Sequence, residues 1–330
     1  MRVIVAVNRV SEIGARQTTA LIIAALIRRS VPVFLIDLDS FEVVGMESDF
    51  VFPDQVAAVN VLDLSDSAKI SDFCKSEPTR RGLQVSTQDL ILIRTNPGRD
   101  LQRAQQHAVF LERCKQLKAS GTQVVNDPDA LDFFSTKASL SEIDELFRPA
   151  MRMGADVEDI MQFVRNAKVD CIVKPVAGSR GTDVIRVRWD DCDLMERIKT
   201  TFNGRAMIVQ HFISGQVGDS RVIVLNGEIM EHRGHVVGIS RLPAAGDFRG
   251  NIHAGGTAQP IQLEAKARLA VQHAAQRLFR RGIWMAGVDI VSDQVIEMNV
   301  FSPGGVFPAN QFAQFDFSDA IAGSLLDTYT

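Results

Sequence analysis

The stretch AGVDIVSDQVIEMNVFSPGG, Ala286 to Gly305, decides both the fold and the place of the chemistry. Two runs rich in Val, Ile and Met flank the polar Ser292-Asp293-Gln294, which predicts a β-hairpin with a three-residue loop and Val291 opposite Val295. Counting outward then sets Asp289 against Glu297, and the period of two puts Asn299 on the Glu297 face. Like charges directly across a sheet repel unless something positive lies between them. Two carboxylates and an amide oxygen are hard donors that suit Mg2+, which keeps several waters and completes its shell on substrate phosphates. The competing reading is a solvated acidic strand pair, because a two-residue loop would send the two carboxylates to opposite faces.

Working outward, 330 residues are enough for two or three domains with buried cores. Apolar residues at 46% and charged residues at 23% are those of an ordinary globular protein. A net charge of -4 argues against a chain built to coat nucleic acid or an anionic membrane, so any phosphate site must be a local basic pocket. Cys74, Cys114, Cys171 and Cys192 are scattered without a C-x-x-C pair, which suits reduced thiols better than a disulfide frame or a zinc site. MRVIVAVNRV is short and β-branched for a signal peptide, and no apolar run is long enough to span a bilayer. These features predict a cytoplasmic protein.

The first third alternates strand and helix: RVIVAVN, TTALIIAALIRRS, VPVFLIDLD, DLILIRT, LQRAQQHAVFLERCKQLKASG and TQVVND. That βαβ rhythm predicts a parallel sheet with helical crossovers. A nicotinamide-binding domain with Asp37 or Asp39 on the ribose fails at the first loop, because Asn8 to Ala15 lacks the G-x-G-x-x-G turn. From about Phe147 the pattern becomes strand-rich α+β, with a hairpin turning at Asn226-Gly227, the glycine-rich loop RLPAAGDFRGNIHAGG and a long helix before the opening hairpin. Asp127 to Phe147 reads as the link between the halves.

Chemistry gathers in the second half. Lys174 ends the buried strand of CIVKPVAGSRG, directly before Pro175 and a loop with Gly178 and Gly181, where an ammonium beside open backbone amides can hold phosphates. The spacing is not that of a Walker A loop, and a snorkelling edge lysine is the alternative. Lys137 says little alone. Arg221, Arg241 and Arg249 lie near Gly250, Gly255 and Gly256, and guanidinium forks suit carboxylate or phosphate. His232 and His235 form an H-x-x-H pair without the further ligands that zinc needs. Arg186 and Arg188 alternate on one strand and are expected to face solvent.

Taken together, RTNPGRD, GTQVVNDPDAL, DCIVKPVAGSRG, MIVQHFISGQVGDSRVIVLNGE, SRLPAAGDFRGNIHAGG, GVDIV and IEMNVFSP stand in an order and spacing that resemble the ATP-grasp superfamily, and within it the bacterial glutathione synthetase family. The resemblance covers essentially the whole chain. It implies an α/β (α+β) architecture: an N-terminal parallel-sheet pre-ATP-grasp domain over 1–126, then a two-lobed ATP-grasp domain over 127–330, with a central lobe at about 147–212 and a C-terminal lobe at about 213–330. It implies an ATP-dependent ligase in which ATP and Mg2+, with Mn2+ as the alternative ion, convert a peptide carboxylate to an acyl phosphate that an amine attacks. Glutathione synthesis from γ-glutamylcysteine and glycine is the leading expectation. A ligase for another peptide or amino-acid pair is the alternative, and a non-catalytic nucleotide-binding protein is the third reading.

By position, the resemblance implies that Lys137, Lys174, Gly178, Ser179, Arg180 and Gly181 meet nucleotide phosphates and that Gln210, His211, Phe212 and Ile213 line the adenine. It gives Asp289, Glu297 and Asn299 to magnesium, Arg221, Arg241 and Arg249 to the transferring group, and Asn251, Gly255, Gly256 and Ser302 to substrate. Its partners are small peptides and amino acids, not nucleic acid or membrane, and its quaternary state a homodimer or homotetramer. Two departures stand out: Arg180 replaces a loop glycine, and Phe301 to Phe307 lacks the family's two threonines and charges. The second predicts added apolar surface beside the metal and an altered acceptor profile.

Overall fold

Strands β1 (Arg2–Val7), β2 (Val33–Asp37), β3 (Gln55–Val61), β4 (Arg81–Gln84), β5 (Asp89–Ile93) and β6 (Gln123–Val125) form one sheet in the order β4-β3-β2-β1-β5-β6. The computed structural model describes residues 1–38, 40, 55–61, 64–178, 183–213, 218–244, 250 and 255–329. β2, β1, β5 and β6 are mutually parallel, as the βαβ rhythm predicts, whereas β3 runs antiparallel to both β2 and β4, and β4 is the edge strand. The central strands are apolar throughout because both faces are covered. Helices α1 (Thr18–Arg28) and α2 (Ser67–Lys75) bury apolar residues in one cluster with Val3, Val5 and Val7. Helix α3 (Ala104–Ala119) places Phe110, Leu111, Cys114 and Leu117 in another with Ile4, Ala6 and Ile91.

Buried Asn126 fastens this unit to the next. Its Nδ2 donates to the carbonyls of Met285 (2.9 Å) and Val300 (3.0 Å), and its Oδ1 accepts from the amides of Trp284 (2.9 Å) and Met285 (3.0 Å). The short helix α4 (Pro128–Phe133) follows, capped by Asp127. Next come β7 (Met151–Gly154), α5 (Val157–Ala167), β8 (Cys171–Pro175), β9 (Ile185–Val187), α6 (Leu194–Phe202) and β10 (Met207–His211). Asp156 starts α5 by accepting from the amides of Glu158 and Asp159, the expected use of an N-cap aspartate. The four strands form an antiparallel sheet, β7-β10-β8-β9. One face packs Val173, Val187, Met207 and Val209 on Ile160, Val164, Ile198 and Phe202 of the two helices. Alternation turns Ile172, Lys174, Ile208 and Gln210 to the other face.

That open face meets a larger sheet, built from β11 (Asp219–Leu225), β12 (Glu228–Ile229), β15 (Gly238–Leu242), β16 (Thr257–Pro260), β17 (Met285–Val291) and β18 (Gln294–Asn299), while β13 (Glu231–His232) and β14 (His235–Val236) lie between β12 and β15 in the chain. Its order is β16-β15-β11-β17-β18, with β12 beside β11 and β13 paired to β14 as a separate ribbon. Asn226 and Gly227 make the predicted tight turn, with φ of 53° and 81° between the paired Leu225 and Glu228. Helix α7 (Ala265–Arg280) covers the sheet through Ala270, Val271, Ala274 and Leu278, and α8 (Val306–Ala313) and α9 (Ser318–Tyr329) return to the N-terminal core.

The opening hairpin departs from the expected turn. Val291 pairs with Gln294 rather than Val295, so the loop is the two residues Ser292-Asp293, with Ser292 at φ 56°. Ile290 pairs with Val295, and a register shift then restores Asp289 opposite Glu297 and Gly287 opposite Asn299. Ile296 is the extra residue, a β-bulge. Shortening the loop by one residue reverses the facing of the strand beyond it, and the bulge reverses it back. The pairing of the two carboxylates therefore holds although the loop is not the one expected.

Candidate active site

Asp289 is 2% exposed and sits among four donors. Arg221, registered opposite it on β11, grips it with two parallel hydrogen bonds, Nε to Oδ1 and Nη2 to Oδ2, both 2.7 Å. Arg241 Nη2 reaches Oδ2 at 2.9 Å and Asn299 Nδ2 reaches it at 3.1 Å. Arg241 in turn holds Asp219, its cross-strand partner, at 2.6 and 2.7 Å. Burial alone would raise the Asp289 carboxyl, but the two guanidiniums outweigh it and hold it at about 2. The positive charge that the facing carboxylates require is thus supplied partly by the protein itself. Gly250 is glycine for a steric reason: a Cβ there would lie 2.7 Å from both the Arg241 carbonyl and Asp219 Oδ1.

Glu297 belongs to a more open part of the same face, with its side chain 34% exposed and Lys137 Nζ 3.8 Å from its Oε1. Lys137 also donates to the Gly178 carbonyl at 2.6 Å, and its amide donates to the Val176 carbonyl at 2.9 Å. Lys174 crosses from the small sheet to the large one, where Nζ donates to the carbonyl of bulge residue Ile296 at 3.1 Å. Burial, reinforced by Lys137 and opposed by Glu297 and Asp289, lowers the Lys174 ammonium to about 8. Two lysines, a carboxylate and an arginine-bound aspartate therefore face one cleft between two sheets.

On the same side of the small sheet, Gln210 is 3% exposed and its Nε2 is buried with no hydrogen-bond partner among the described residues. Such an orphaned donor is costly unless a ligand satisfies it. His211 packs on Phe163, and Phe212 lies under the Arg186 guanidinium at 3.9 Å. Arg186 is exposed and paired with Asp170, and Arg188 with Asp190. Gly178 and Ile213 border this cleft in sequence, while Ser179, Arg180, Gly181, Arg249 and Asn251 lie outside the described residues. Gly255 and Gly256 lead into β16. His232 stacks on Phe315, and among the described residues no group of three or more His, Cys, Asp or Glu could hold a metal. The Asp289, Glu297 and Asn299 set differs in kind, being two carboxylates and an amide.

The wall after β18 differs from its expectation. Phe301 is 9% exposed and turns into the core, edge-on to His107 at 5.3 Å, instead of adding apolar surface beside the carboxylates. The chain leaves the extended conformation at Ser302, φ 32°, so strand alternation no longer says which way a side chain points. Ser302, Pro303 and Gly304 line a separate cavity of about 400 Å3 beside the N-terminal end of α1. Sequence reasoning gave no role to Asp219, Asn126 or Arg94. For Asp219 the signal lay in its cross-strand match to Arg241, visible only once β11 and β15 are paired.

A family model described as prokaryotic glutathione synthetase, N-terminal domain, matches residues 1–131, and the ATP-grasp domain of the same family matches 137–314. The chain belongs to the prokaryotic glutathione synthetase family. Among relatives in that family, the glutathione synthetase of Agrobacterium fabrum is 31% identical over 268 residues, 80% of this chain and 79% of that protein. The glutathione synthetase of Vibrio parahaemolyticus is 30% identical over 294 residues, 87% of each chain. The fold is that of the ATP-grasp ligase PsnB, solved with a phosphomimetic precursor variant, Mg and ADP: TM-score 0.65, 17% identity, 99% of this chain and 98% of that one. As a glutathione synthetase family member with this fold, the chain is an ATP-dependent carbon-nitrogen ligase. No described helix is long and apolar enough to cross a membrane.

Proposed function

We propose that this chain joins γ-glutamylcysteine to glycine at the expense of ATP. The observation that carries the reading is the convergence of Lys137 and Lys174 on Glu297, Asp289 and Asn299 across one cleft, with Lys174 bridging the sheets. Lys137 and Lys174 hold the nucleotide phosphates, and orphaned Gln210 Nε2 with the Gln210 to Ile213 segment receives the base. Gly178, Ser179, Arg180 and Gly181 contact the phosphates. Glu297 and Asn299 present hard oxygens to magnesium, and Asp289 joins them if one of its four donors yields. Bound there, magnesium neutralises phosphate charge, and manganese fits the same donors.

Phosphoryl transfer needs positioning and charge neutralisation more than a protein nucleophile. Arg221, Arg241 and Arg249 orient the peptide carboxylate and stabilise charge on the group it receives, while Asn251, Gly255, Gly256 and Ser302 shape the substrate side. The donor carboxylate attacks the γ-phosphorus of ATP as ADP leaves; the glycine amine then attacks the acyl carbon, losing a proton as inorganic phosphate departs, and exclusion of water protects the acyl phosphate. The domain limits 1–126 and 127–330, a homodimer or homotetramer, and a cytoplasmic site with its ATP supply complete the proposal. The test is phosphate release from purified protein with ATP, magnesium and a matrix of peptides and amino acids. Release requiring γ-glutamylcysteine and glycine together supports the reading. Release with another pair moves the chain to a different ligase specificity, and none with any pair overturns ligation.

A further inference from the structure

Asp289 has no acceptor site to spare. A carboxylate offers about four, and Arg221 Nε, Arg221 Nη2, Arg241 Nη2 and Asn299 Nδ2 take them. A cation can use these oxygens only where a donor leaves, and the four are not held alike. Arg221 is registered directly opposite Asp289 and grips both oxygens at 2.7 Å. Arg241 gives a single bond at 2.9 Å and reaches it diagonally, from β15 across β11 to β17. Asn299 gives one at 3.1 Å, and rotating its amide would put the oxygen in place of that N–H. Arg241 and Asn299 are therefore the donors that can yield, and both sit on Oδ2.

What Arg241 does on leaving depends on Asp219. Strand register sets four side chains in a checkerboard on one face, Arg241 opposite Asp219 and Arg221 opposite Asp289. Asp219 accepts from Arg241 Nε at 2.6 Å and from Nη2 at 2.7 Å, and among the described residues its side chain bonds to nothing else. The main chain of Arg241 is walled in, because a Cβ on Gly218 or on Gly250 would collide with its carbonyl oxygen. A guanidinium fixed in plane by two bonds, on a backbone without room to shift, stays in place when its third bond is given up. Resting on the ligase reading above, we infer that Asp219 is a positioning residue that acts through Arg241. It draws the guanidinium off Asp289 Oδ2 so that this oxygen can meet the cation, and it keeps the released N–H aimed at the phosphoryl group held there. Without Asp219, Arg241 would settle on Asp289, the one carboxylate left to it, and compete with the cation.

Mn2+ titrated alone into the full chain, with the free ion followed by paramagnetic resonance, tests this as a double-mutant cycle. Asp219→Asn should bind Mn2+ about tenfold more weakly than wild type, and Arg241→Gln about tenfold more tightly, each on the scale of one charge-assisted hydrogen bond. In the Arg241→Gln background, Asp219→Asn should change the affinity by less than about threefold, because the residue through which it acts is gone. The double variant keeps the net charge of the pair and leaves neither ion unpaired, so it serves even where a single variant misfolds. It should bind Mn2+ about tenfold more tightly than wild type, where charge alone predicts no change. Glu297→Gln should abolish binding in every background, which places the ion on this face. Equal losses on Asp219→Asn in both backgrounds, a double variant that binds as wild type does, no Mn2+ binding by wild type, or binding indifferent to Glu297→Gln overturns the inference. Phosphate release by wild type judges the ligase reading separately: coupling without release keeps the role of Asp219 at the cation and removes ligation, and release without coupling does the reverse.

Discussion

Replacing Lys174 with Met should separate what this lysine costs the empty fold from what it contributes to nucleotide binding. Burial and neighbouring Lys137, against the pull of Glu297 and Asp289, take the ammonium from 10.5 to about 8. At about 1.4 kcal/mol per pH unit, keeping it charged at pH 7 costs the ligand-free protein about 3 kcal/mol. Met fills a similar volume and loses the bond to the Ile296 carbonyl, worth about 1 kcal/mol. The variant should therefore gain about 2 kcal/mol of ligand-free stability at pH 7. The unfolded lysine holds its proton up to 10.5 and the folded one only to about 8, so wild-type stability from this group rises between those values and the variant's advantage fades there. ATP binding should move the other way, weakening about 10- to 100-fold with loss of a charge-assisted donor. Urea unfolding followed by buried Trp284 and calorimetry with magnesium and ATP measure both effects. A variant that is less stable at pH 7, or that binds ATP as wild type does, refutes the assignment.

Glu297→Gln and Asp289→Asn should differ in kind. The first, at a side chain one third exposed, should abolish magnesium-dependent turnover with less than about 1 kcal/mol lost in urea unfolding. The second leaves the Arg221 and Arg241 forks short of acceptors in a buried site and should cost about 3 to 5 kcal/mol as well as activity. Gly250→Ala should depress kcat while leaving ATP affinity intact, since its Cβ would push on the Arg241 and Asp219 pair; unchanged kcat would show that the loop absorbs it. Phe301→Thr should lower stability by about 3 kcal/mol without changing the preferred acceptor amine, because the ring packs in the core against His107. A shifted acceptor profile in that variant would return Phe301 to the substrate wall.

Much of this organisation could be read from residues because it rests on local rules. Apolar runs gave β1, β2 and β5, and the Asn226-Gly227 pair gave its turn, whereas counting from a three-residue loop reached the Asp289 and Glu297 pairing only because the bulge offsets the shorter loop. The bulge was illegible because Ile296 is as good a strand residue as its neighbours, and nothing in its chemistry marks it as unpaired. The antiparallel β3 and β4 edge and the Asp219–Arg241 pair depend on which distant strands meet, which side-chain type does not state. Phe301 was misplaced because the family's pattern was carried over by position past Asn299, where the strand ends and the chain turns at Ser302. Arg94, just after β5, carried no signal in its residue type, because its burial without a carboxylate partner among the described residues depends on which distant elements enclose it.

The bulge at Ile296 also sets a rule for changes in hairpin length. Turn and strand are matched in parity: the turn has one residue fewer than the simplest pairing needs, and the strand has one more. A single insertion or deletion in either part rotates Glu297 and Asn299 away from Asp289, so length variants can keep this face only as compensating pairs. Deleting Ile296 while adding a residue after Ser292 would preserve the facing oxygens yet remove the carbonyl on which Lys174 ends. Such a paired variant would uncouple metal holding from the bridge between the two sheets, which point substitutions at Lys174 or Glu297 do not do.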